Sequence, residues 1–165
     1  MWKIFLIAFL AILLTTSSYG QLSNVVINTS ECGIDMIHKS AKVGLRYDQT
    51  PGVGYPVIFS ISELPTQCYE IEAAYVWWII SNYTDSPPLP NIDVVNPDNQ
   101  TFTYQAVETG IDIDKCWSER DTRGYRADVT SAITGNGSYL FTPTTGQNET
   151  DGLTLIIVYR DIKAN

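Results

Sequence analysis

The sequence has little histidine and little positive charge. Its single histidine, His38, excludes metal sites and catalytic pairs that need two or more imidazole groups. No GxSxG motif accompanies it, so a Ser-His-Asp triad has no support and we interpret His38 as a surface or turn residue. The 10 Lys and Arg residues stand against 18 Asp and Glu, which gives a net charge of −8 and a pI near 4.4. This acidity argues against binding to nucleic acids or to anionic membrane surfaces.

The sequence also lacks any segment with the sustained 3.6-residue apolar period of a helix. Its 44% hydrophobic, 12% aromatic and 17% charged residues are typical of a globular domain and not of a disordered chain. Proline and glycine recur at roughly eight- to twelve-residue intervals, the turn spacing of a sandwich or barrel. Short runs rich in Val, Ile, Tyr, Thr and Phe lie between them. We therefore predict an all-β fold, an antiparallel β-sandwich that is jelly-roll-like.

Residues 1–20 follow the three-part pattern of a secretory signal peptide. Lys3 supplies the positive charge, residues 4–14 form an unbroken apolar run, and small residues at 18 and 20 precede a cleavage point before Gln21. The run is shorter than the ~20 residues that a membrane-spanning helix needs. We predict a signal peptide at 1–20, one domain at 21–165 without a membrane span, and a secreted or cell-surface location.

Export changes the interpretation of the three cysteines, Cys32, Cys68 and Cys116, because disulfides form in oxidising compartments. No CxxC motif occurs, so zinc and thioredoxin-type chemistry have no support. Three pairings are open, each leaving one cysteine over. We favour Cys68–Cys116, because Cys68 precedes one predicted strand and Cys116 follows another. Cys32 is then a free or intermolecular thiol.

Five asparagines begin an N-x-Ser/Thr motif, the acceptor sequence for N-linked glycans. In a eukaryotic secretory route these positions are candidate glycan sites. Asparagine also marks turns, and we favour that interpretation in a chain this rich in Asn, Ser and Thr. The five are Asn28, Asn82, Asn99, Asn136 and Asn148.

Nine segments are predicted as strands: 24–28, 42–47, 55–62, 69–81, 92–95, 101–107, 110–114, 138–142 and 153–160. Those at 69–81 and 153–160 are apolar on both faces, which is typical of a central strand covered above and below. Alternate side chains of a strand point to opposite faces, so Trp77 and Trp78 cannot share one. One of the two is expected in the core and the other beneath a loop or exposed. Residues 128–133 are expected to form one helical turn with Asp128 as its N-cap.

Few residues follow the strand at 153–160, so we expect it to have an unpaired edge and the sandwich to be incomplete at its C-terminal side. A second copy of the chain or a downstream module then completes the sheet by strand addition. In the alternative, an N-terminal strand pairs there and closes the fold.

Three stretches in order carry a resemblance: residues 71–78 (IEAAYVWW), then 125–130 (YRADVT) with 135–139 (GNGSY), then 152–161 (GLTLIIVYRD). Over about residues 65–161 the chain resembles an uncharacterised β-sandwich domain of exported bacterial and archaeal surface proteins. Such domains are often carried on large adhesin-like chains, including those with gliding-motility-associated sorting domains. The resemblance implies a sandwich fold and a surface role, and it brings no catalytic residues. In that family the domain usually continues beyond the strand matching 153–160.

The region 112–121 is rich in acids. Asp112 and Asp114 are two residues apart on a predicted strand and so face the same side. With two acids that follow in the loop they form a candidate set of oxygen ligands for Ca²⁺, or a carboxylate pair of glycosidase type. We favour a solvated face whose charge is balanced by neighbouring Lys and Arg. The candidate calcium ligands are Asp112, Asp114, Glu119 and Asp121.

Trp117 lies in the same polar loop and is the preferred candidate for an exposed ring that stacks on a sugar. Together these features predict an exported, non-enzymatic β-sandwich module for adhesion or display at the cell surface. Its expected partners are other surface proteins or glycans, and no cofactor is expected apart from possible calcium. The alternative is a secreted carbohydrate-binding module or a glycan-acting enzyme.

Overall fold

The computed structural model describes residues 33–42, 56–82, 90–113, 120–144 and 149–162. The proposed signal peptide lies outside this described part of the chain. Apart from one turn of 3₁₀-helix at Thr130–Ala132, the regular structure of the described residues is β. The strands are β1 (Ile34–Lys42), β2 (Val57–Ile61), β3 (Tyr69–Asn82), β4 (Asn91–Val95), β5 (Thr101–Gln105), β6 (Val107–Asp112), β7 (Asp121–Asp128), β8 (Gly137–Thr144) and β9 (Glu149–Asp161).

The strands form two antiparallel sheets. A five-stranded sheet has the order β1-β9-β3-β7-β6, and a four-stranded sheet has the order β2-β8-β4-β5. This architecture confirms the predicted all-β sandwich. Consecutive strands pair only at β4–β5 and β6–β7, so most of the pairing joins segments that are distant in sequence.

One core lies between the two sheets, and it is formed by alternate side chains of their strands, which point inward. In β2, for example, Val57, Phe59 and Ile61 are buried whereas Ile58 and Ser60 are exposed. Phe59 packs on Phe141 of β8 with ring centroids 5.6 Å apart. The buried residues of the core include, from the five-stranded sheet, Ile37, Ala74, Val76, Trp78, Ile80, Tyr125, Ala127, Leu153, Leu155, Ile157 and Tyr159 and, from the four-stranded sheet, Val57, Phe59, Ile61, Ile92, Val94, Tyr139 and Phe141.

The two strands that were predicted to be central are central. Strand β9 lies between β1 and β3, and β3 lies between β9 and β7. The expected unpaired edge beside 153–160 is wrong, because β1 pairs antiparallel with β9 from Ile34 opposite Arg160 to Lys42 opposite Gly152. An N-terminal strand therefore completes this side of the sheet. An ion pair between Lys39 of β1 and Glu63, just after β2, links this strand to the opposite sheet.

Two strands, β1 and β7, were not predicted from the sequence. Strand β1 reads IDMIHKSAK and buries only Ile37, so it has no apolar alternation to reveal it. His38 lies exposed within this strand, where its Nε2 is 2.9 Å from Ser40 Oγ. The prediction of a surface histidine is confirmed, and a turn position is wrong.

Asp128 stabilises the start of the 3₁₀ turn without being its N-cap. The N-cap residue is Val129, which makes no side-chain capping bond, so the predicted position of the cap was wrong by one residue. Asp128 Oδ1 accepts hydrogen bonds from Thr130 N–H at 3.0 Å and Thr130 Oγ1 at 2.6 Å. Thr130 N–H is one of the donors that a helix start leaves unsatisfied.

The turn before β8 is held by a buried tyrosine. The Tyr139 hydroxyl donates to Gly135 O at 2.7 Å and accepts the N–H groups of Thr134 and Gly135, each at 3.0 Å. Glycine is required at 137, where φ is 149° and a Cβ would lie 2.4 Å from Pro97 Cγ. The predicted turn is confirmed at residues 135–136, and Gly137 is the first residue of β8.

Candidate functional site

The two adjacent tryptophans of β3 lie on opposite faces of the five-stranded sheet, as predicted. Trp78 is 1% exposed in the core and stacks on Tyr125 with centroids 6.1 Å apart. Trp77 is partly buried on the other face, which we call the outer face. There its ring lies 5.7 Å from the ring of Tyr75. Trp77 is therefore available at the molecular surface in a way that Trp78 is not.

Arg126 completes this cluster on the outer face. It lies directly opposite Trp77 in the β3–β7 ladder, and its Cζ is 5.5 Å from the centroid of the Tyr75 ring, within the range of a cation–π interaction. Its Nη1 is buried and has no hydrogen-bond partner among the residues that the structure describes. A buried donor without a partner is costly, and because this nitrogen has almost no accessible surface, a ligand could reach it only if the Arg126 side chain moved. We call Tyr75, Trp77 and Arg126 the aromatic patch.

A groove with a volume of about 340 Å³ adjoins the aromatic patch, and we call it the outer groove. Gly124 lies opposite Ile79 in one ladder and opposite Gly110 in the next, so two glycines meet where side chains would otherwise fill the surface. A Cβ at Gly124 would lie 3.0 Å from Thr109 Oγ1. The groove is lined by Trp77, Trp78, Ile79, Thr109, Gly110, Ile111, Asp112, Thr122, Gly124 and Tyr125.

Exposed apolar residues also occur on β6, the last strand of the five-stranded sheet, and just after it. Val107, Ile111 and Ile113 are 58%, 43% and 71% exposed, and Ile79 on the groove wall is 46% exposed. Single exposed apolar residues are ordinary, but a contiguous group of them is typical of an interaction surface. Of these four residues, Ile79 and Ile111 line the outer groove.

A cluster of polar and charged side chains lies where β3 ends and β7 begins. The Asp121 carboxylate, 7% exposed, accepts hydrogen bonds from Asn82 Nδ2 at 3.0 Å and from Arg123 Nε at 2.8 Å. Arg123 also pairs with Glu108 at 2.7 Å. Burial raises the pKa of Asp121, but the hydrogen bonds from Arg123 and Asn82 outweigh it and hold that pKa below its usual value. Asp121 is thus a structural ion-pair partner.

The candidate calcium set is not brought together in the described part of the chain. Asp112 lies opposite Thr122 in the β6–β7 ladder, so the neighbouring Asp121 points to the other face. Asp114 and Glu119 lie outside the described residues. Among described residues no group of three or more His, Cys, Asp or Glu side chains is placed to hold a metal ion. Calcium binding remains a prediction, and of its ligands Asp112 alone is described as an exposed acid.

Trp117 and Cys116 also lie outside the described residues, and so does Cys32. Cys68 is exposed, with a positive φ of 59°, immediately before β3. The Cys68–Cys116 bridge and stacking by Trp117 therefore remain predictions. The structure instead provides Trp77 as a described surface indole. Strict alternation placed it opposite Trp78, but the sequence contained no signal for which of the two is buried.

In the described ranges no helix is long and apolar enough to cross a membrane. Comparisons of the chain with protein-family models, with curated proteins and with solved structures find no match. The functional argument therefore rests on the outer groove and the aromatic patch.

Proposed function

We propose that this chain is an exported, non-enzymatic β-sandwich module for adhesion or display at the cell surface, and that the outer groove with the aromatic patch is its binding surface. The observation that carries the proposal is the meeting of Gly110 and Gly124 beside the Trp77 ring. This arrangement forms a shallow concave site on a sheet face, lined mostly by apolar atoms. Concave apolar surfaces with a few polar groups are the usual form of binding sites.

The chemistry of the patch favours a carbohydrate as the ligand. A sugar ring has an apolar face that packs flat on an indole, and Trp77 offers such a ring next to the groove. Sugar hydroxyls accept hydrogen bonds, and the Arg126 guanidinium, which lies 5.5 Å from the centroid of the Tyr75 ring, carries several N–H donors within the aromatic patch. The acidic protein would not attract a polyanionic ligand, so we expect a neutral or weakly charged glycan.

The two described acids of this region, Asp112 and Asp121, do not form a glycosidase pair, and Asp114, the partner of Asp112 in the predicted pair, lies outside the described residues. A glycosidase needs two carboxyl groups roughly 5–10 Å apart that flank one bond on the same face. Asp112 is on the outer face, whereas Asp121 points inward and is held by Arg123 and Asn82. These two acids therefore cannot flank a substrate in the outer groove.

The test is a titration of neutral polysaccharides into the exported chain, followed by tryptophan fluorescence and by calorimetry. We expect binding that weakens about fivefold in Trp77→Ala, since an aromatic contact is worth about 1 kcal/mol. Arg126→Gln should also weaken it, because the charged guanidinium over the Tyr75 ring is lost. The matched control is Ile58→Ala, an exposed apolar position on the opposite sheet.

Melting temperatures of all variants establish that each is folded. Glycan binding unchanged in both Trp77→Ala and Arg126→Gln would place the binding surface elsewhere. In a further outcome, the chain binds no neutral glycan but captures a defined surface protein, and Trp77→Ala abolishes that capture. The proposed role in adhesion would then stand, with a protein as the ligand in place of a glycan.

A further inference from the structure

The N-x-Ser/Thr motifs differ sharply in what their side-chain amides do. Asn28 and Asn148 lie outside the described residues. Asn82 is the last residue of β3 and is completely buried, and its Nδ2 donates to Asp121 Oδ1 at 3.0 Å. Asn82 itself is therefore in a strand, and Tyr83 and Thr84, the rest of its motif, lie outside the described residues. A glycan on this nitrogen has no room in the folded domain, so Asn82 is excluded as a modification site of the native protein.

Asn136 is exposed in the turn before β8, but its amide has a structural role. Its Nδ2 donates to Leu64 O at 2.8 Å, and its Oδ1 accepts from Leu64 N–H at 3.1 Å. These two bonds pin the loop after β2 to the turn. A sugar on Nδ2 would replace one of its protons and crowd that contact, so occupancy here conflicts with the native fold.

Asn99 differs from both. It lies exposed at the tip of the β4–β5 turn, with φ of 59°, a left-handed conformation that asparagine tolerates well. The turn is held by the buried Asn96, whose Oδ1 accepts N–H bonds from Asp98 at 3.0 Å and Gln100 at 2.9 Å. Because Asn96 supplies these bonds, the side chain of Asn99 is not needed to hold the turn. Thr101, the third residue of the motif, is also exposed.

An apolar groove with a volume of about 380 Å³ begins at Asn99 on the outer surface of the four-stranded sheet. Leu140 lies opposite Ile58 in one ladder and opposite Val95 in the other, so these three side chains form a row across the sheet. Ile58 is 67% exposed. We call these three residues the Leu140 row. Its place beside Asn99 gives a covalently attached sugar an apolar surface to cover.

We infer that Asn99 is an N-glycosylation site of the exported chain and that the first sugar of its glycan packs on the Leu140 row. This inference rests on the export that the proposed function includes, but not on the outer groove. The co-reactant is a lipid-linked oligosaccharide diphosphate presented by a membrane transferase. The amide nitrogen of Asn99 forms a bond to the anomeric carbon of the first sugar. The bond from that carbon to the diphosphate oxygen breaks, the diphosphate leaves with the electron pair, and a base of the transferase takes the amide proton.

The first measurement is a glycopeptide map of the full chain secreted from a host with N-linked glycosylation. We expect Asn99 to be occupied and Asn82 to be unmodified in the folded protein. Asn99→Gln should remove one glycan mass, and the control Asn136→Gln should remove none. An unmodified Asn99 in the secreted protein, or an occupied Asn82, would overturn the inference.

The second measurement tests the contact with the Leu140 row. Glycans are trimmed enzymatically to one sugar, and the melting temperature of the wild-type chain is compared with that of Asn99→Gln. The same pair from a host without N-glycosylation provides the correction for the amino-acid change. We expect the sugar at Asn99 to raise Tm by about 3 °C, and Ile58→Ser to abolish that rise. An unchanged Tm would show that the sugar does not pack on the row. Trp77→Ala, on the opposite sheet, should leave both results unchanged, so failure of the two proposals can be told apart.

Discussion

Replacement of Tyr139 by phenylalanine tests a hydrogen-bonded arrangement in the described core that depends on a single hydroxyl group. The ring is fully buried, and its hydroxyl is bonded to three backbone groups of residues 134 and 135. Phenylalanine keeps the ring and removes one oxygen atom. The change therefore leaves Thr134 N–H, Gly135 N–H and Gly135 O without this partner, and of these the two Gly135 groups are buried and Thr134 N–H is partly buried.

The expected cost follows from those three groups. Leaving one buried donor or acceptor unsatisfied costs about 1–3 kcal/mol, and we take the lower end because the turn can relax locally. Tyr139→Phe should then lower the free energy of unfolding by about 3 kcal/mol, which is a large part of the ~5–15 kcal/mol of an ordinary domain. For a chain of this length the corresponding fall in Tm is roughly 6–12 °C.

Urea unfolding followed by fluorescence measures this change, with a lower midpoint and an unchanged m-value expected. Tyr104→Phe is the matched control. It removes the same atom from an exposed pair, in which the Tyr104 hydroxyl lies 2.7 Å from Ser131 Oγ, and should cost less than about 0.5 kcal/mol. Equal costs for the two variants would refute the argument, because it depends on burial and on the number of backbone partners.

Two further predictions concern the polar cluster and the cysteines. Asp121→Asn should lower stability by about 2 kcal/mol at pH 7, because a charged hydrogen-bonded partner of Arg123 is lost. Since the native pKa of Asp121 lies below its unfolded value of about 3.9, the wild-type advantage is full above that pH. The wild-type advantage should be lost as pH falls through the native pKa. Chemical unfolding of both proteins between pH 7 and 2.5 measures this. If the difference in free energy of unfolding between wild type and Asp121→Asn does not decrease in acid, the assigned cause is contradicted. Peptide mapping without reductant should find Cys68 linked to Cys116, and a bridge from Cys32 to either one, or three free thiols, would exclude that pairing.

Strands β3 and β9 were recognisable because both of their faces are apolar, and that property depends only on the residues themselves. Strand β7 could not be recognised from its residues in this way. Its sequence DTRGYRAD carries three charged residues before Ala127, yet Tyr125 and Ala127 enter the core and Asp121 is buried by its partners. Arg123 lies two residues away on the same strand, but Asn82 becomes a neighbour of the carboxylate only when β3 and β7 pair.

In the candidate site, too, some features follow from the sequence and others only from the fold. The sequence alone established that Trp77 and Trp78 face opposite sides, because side-chain direction alternates along any strand. It could not show which ring is buried, since that depends on the side to which the four-stranded sheet packs. Asp112 and Asp121 were close in sequence and grouped as ligands, but the β6–β7 register turned them to opposite faces.

The sequence by itself determined the all-β class, the central strands, the acidity and the turn at 135–136, since each follows from composition, alternation or local glycine conformation. The tertiary structure alone decided that β1 covers the edge of β9, that two glycines meet beside Trp77, and that Asn99 differs from Asn82 and Asn136. Each of these depends on pairing between residues far apart in the chain, such as Ile34 with Arg160. Such pairing is set by the combined burial and hydrogen bonding of both sheets, which no local pattern encodes.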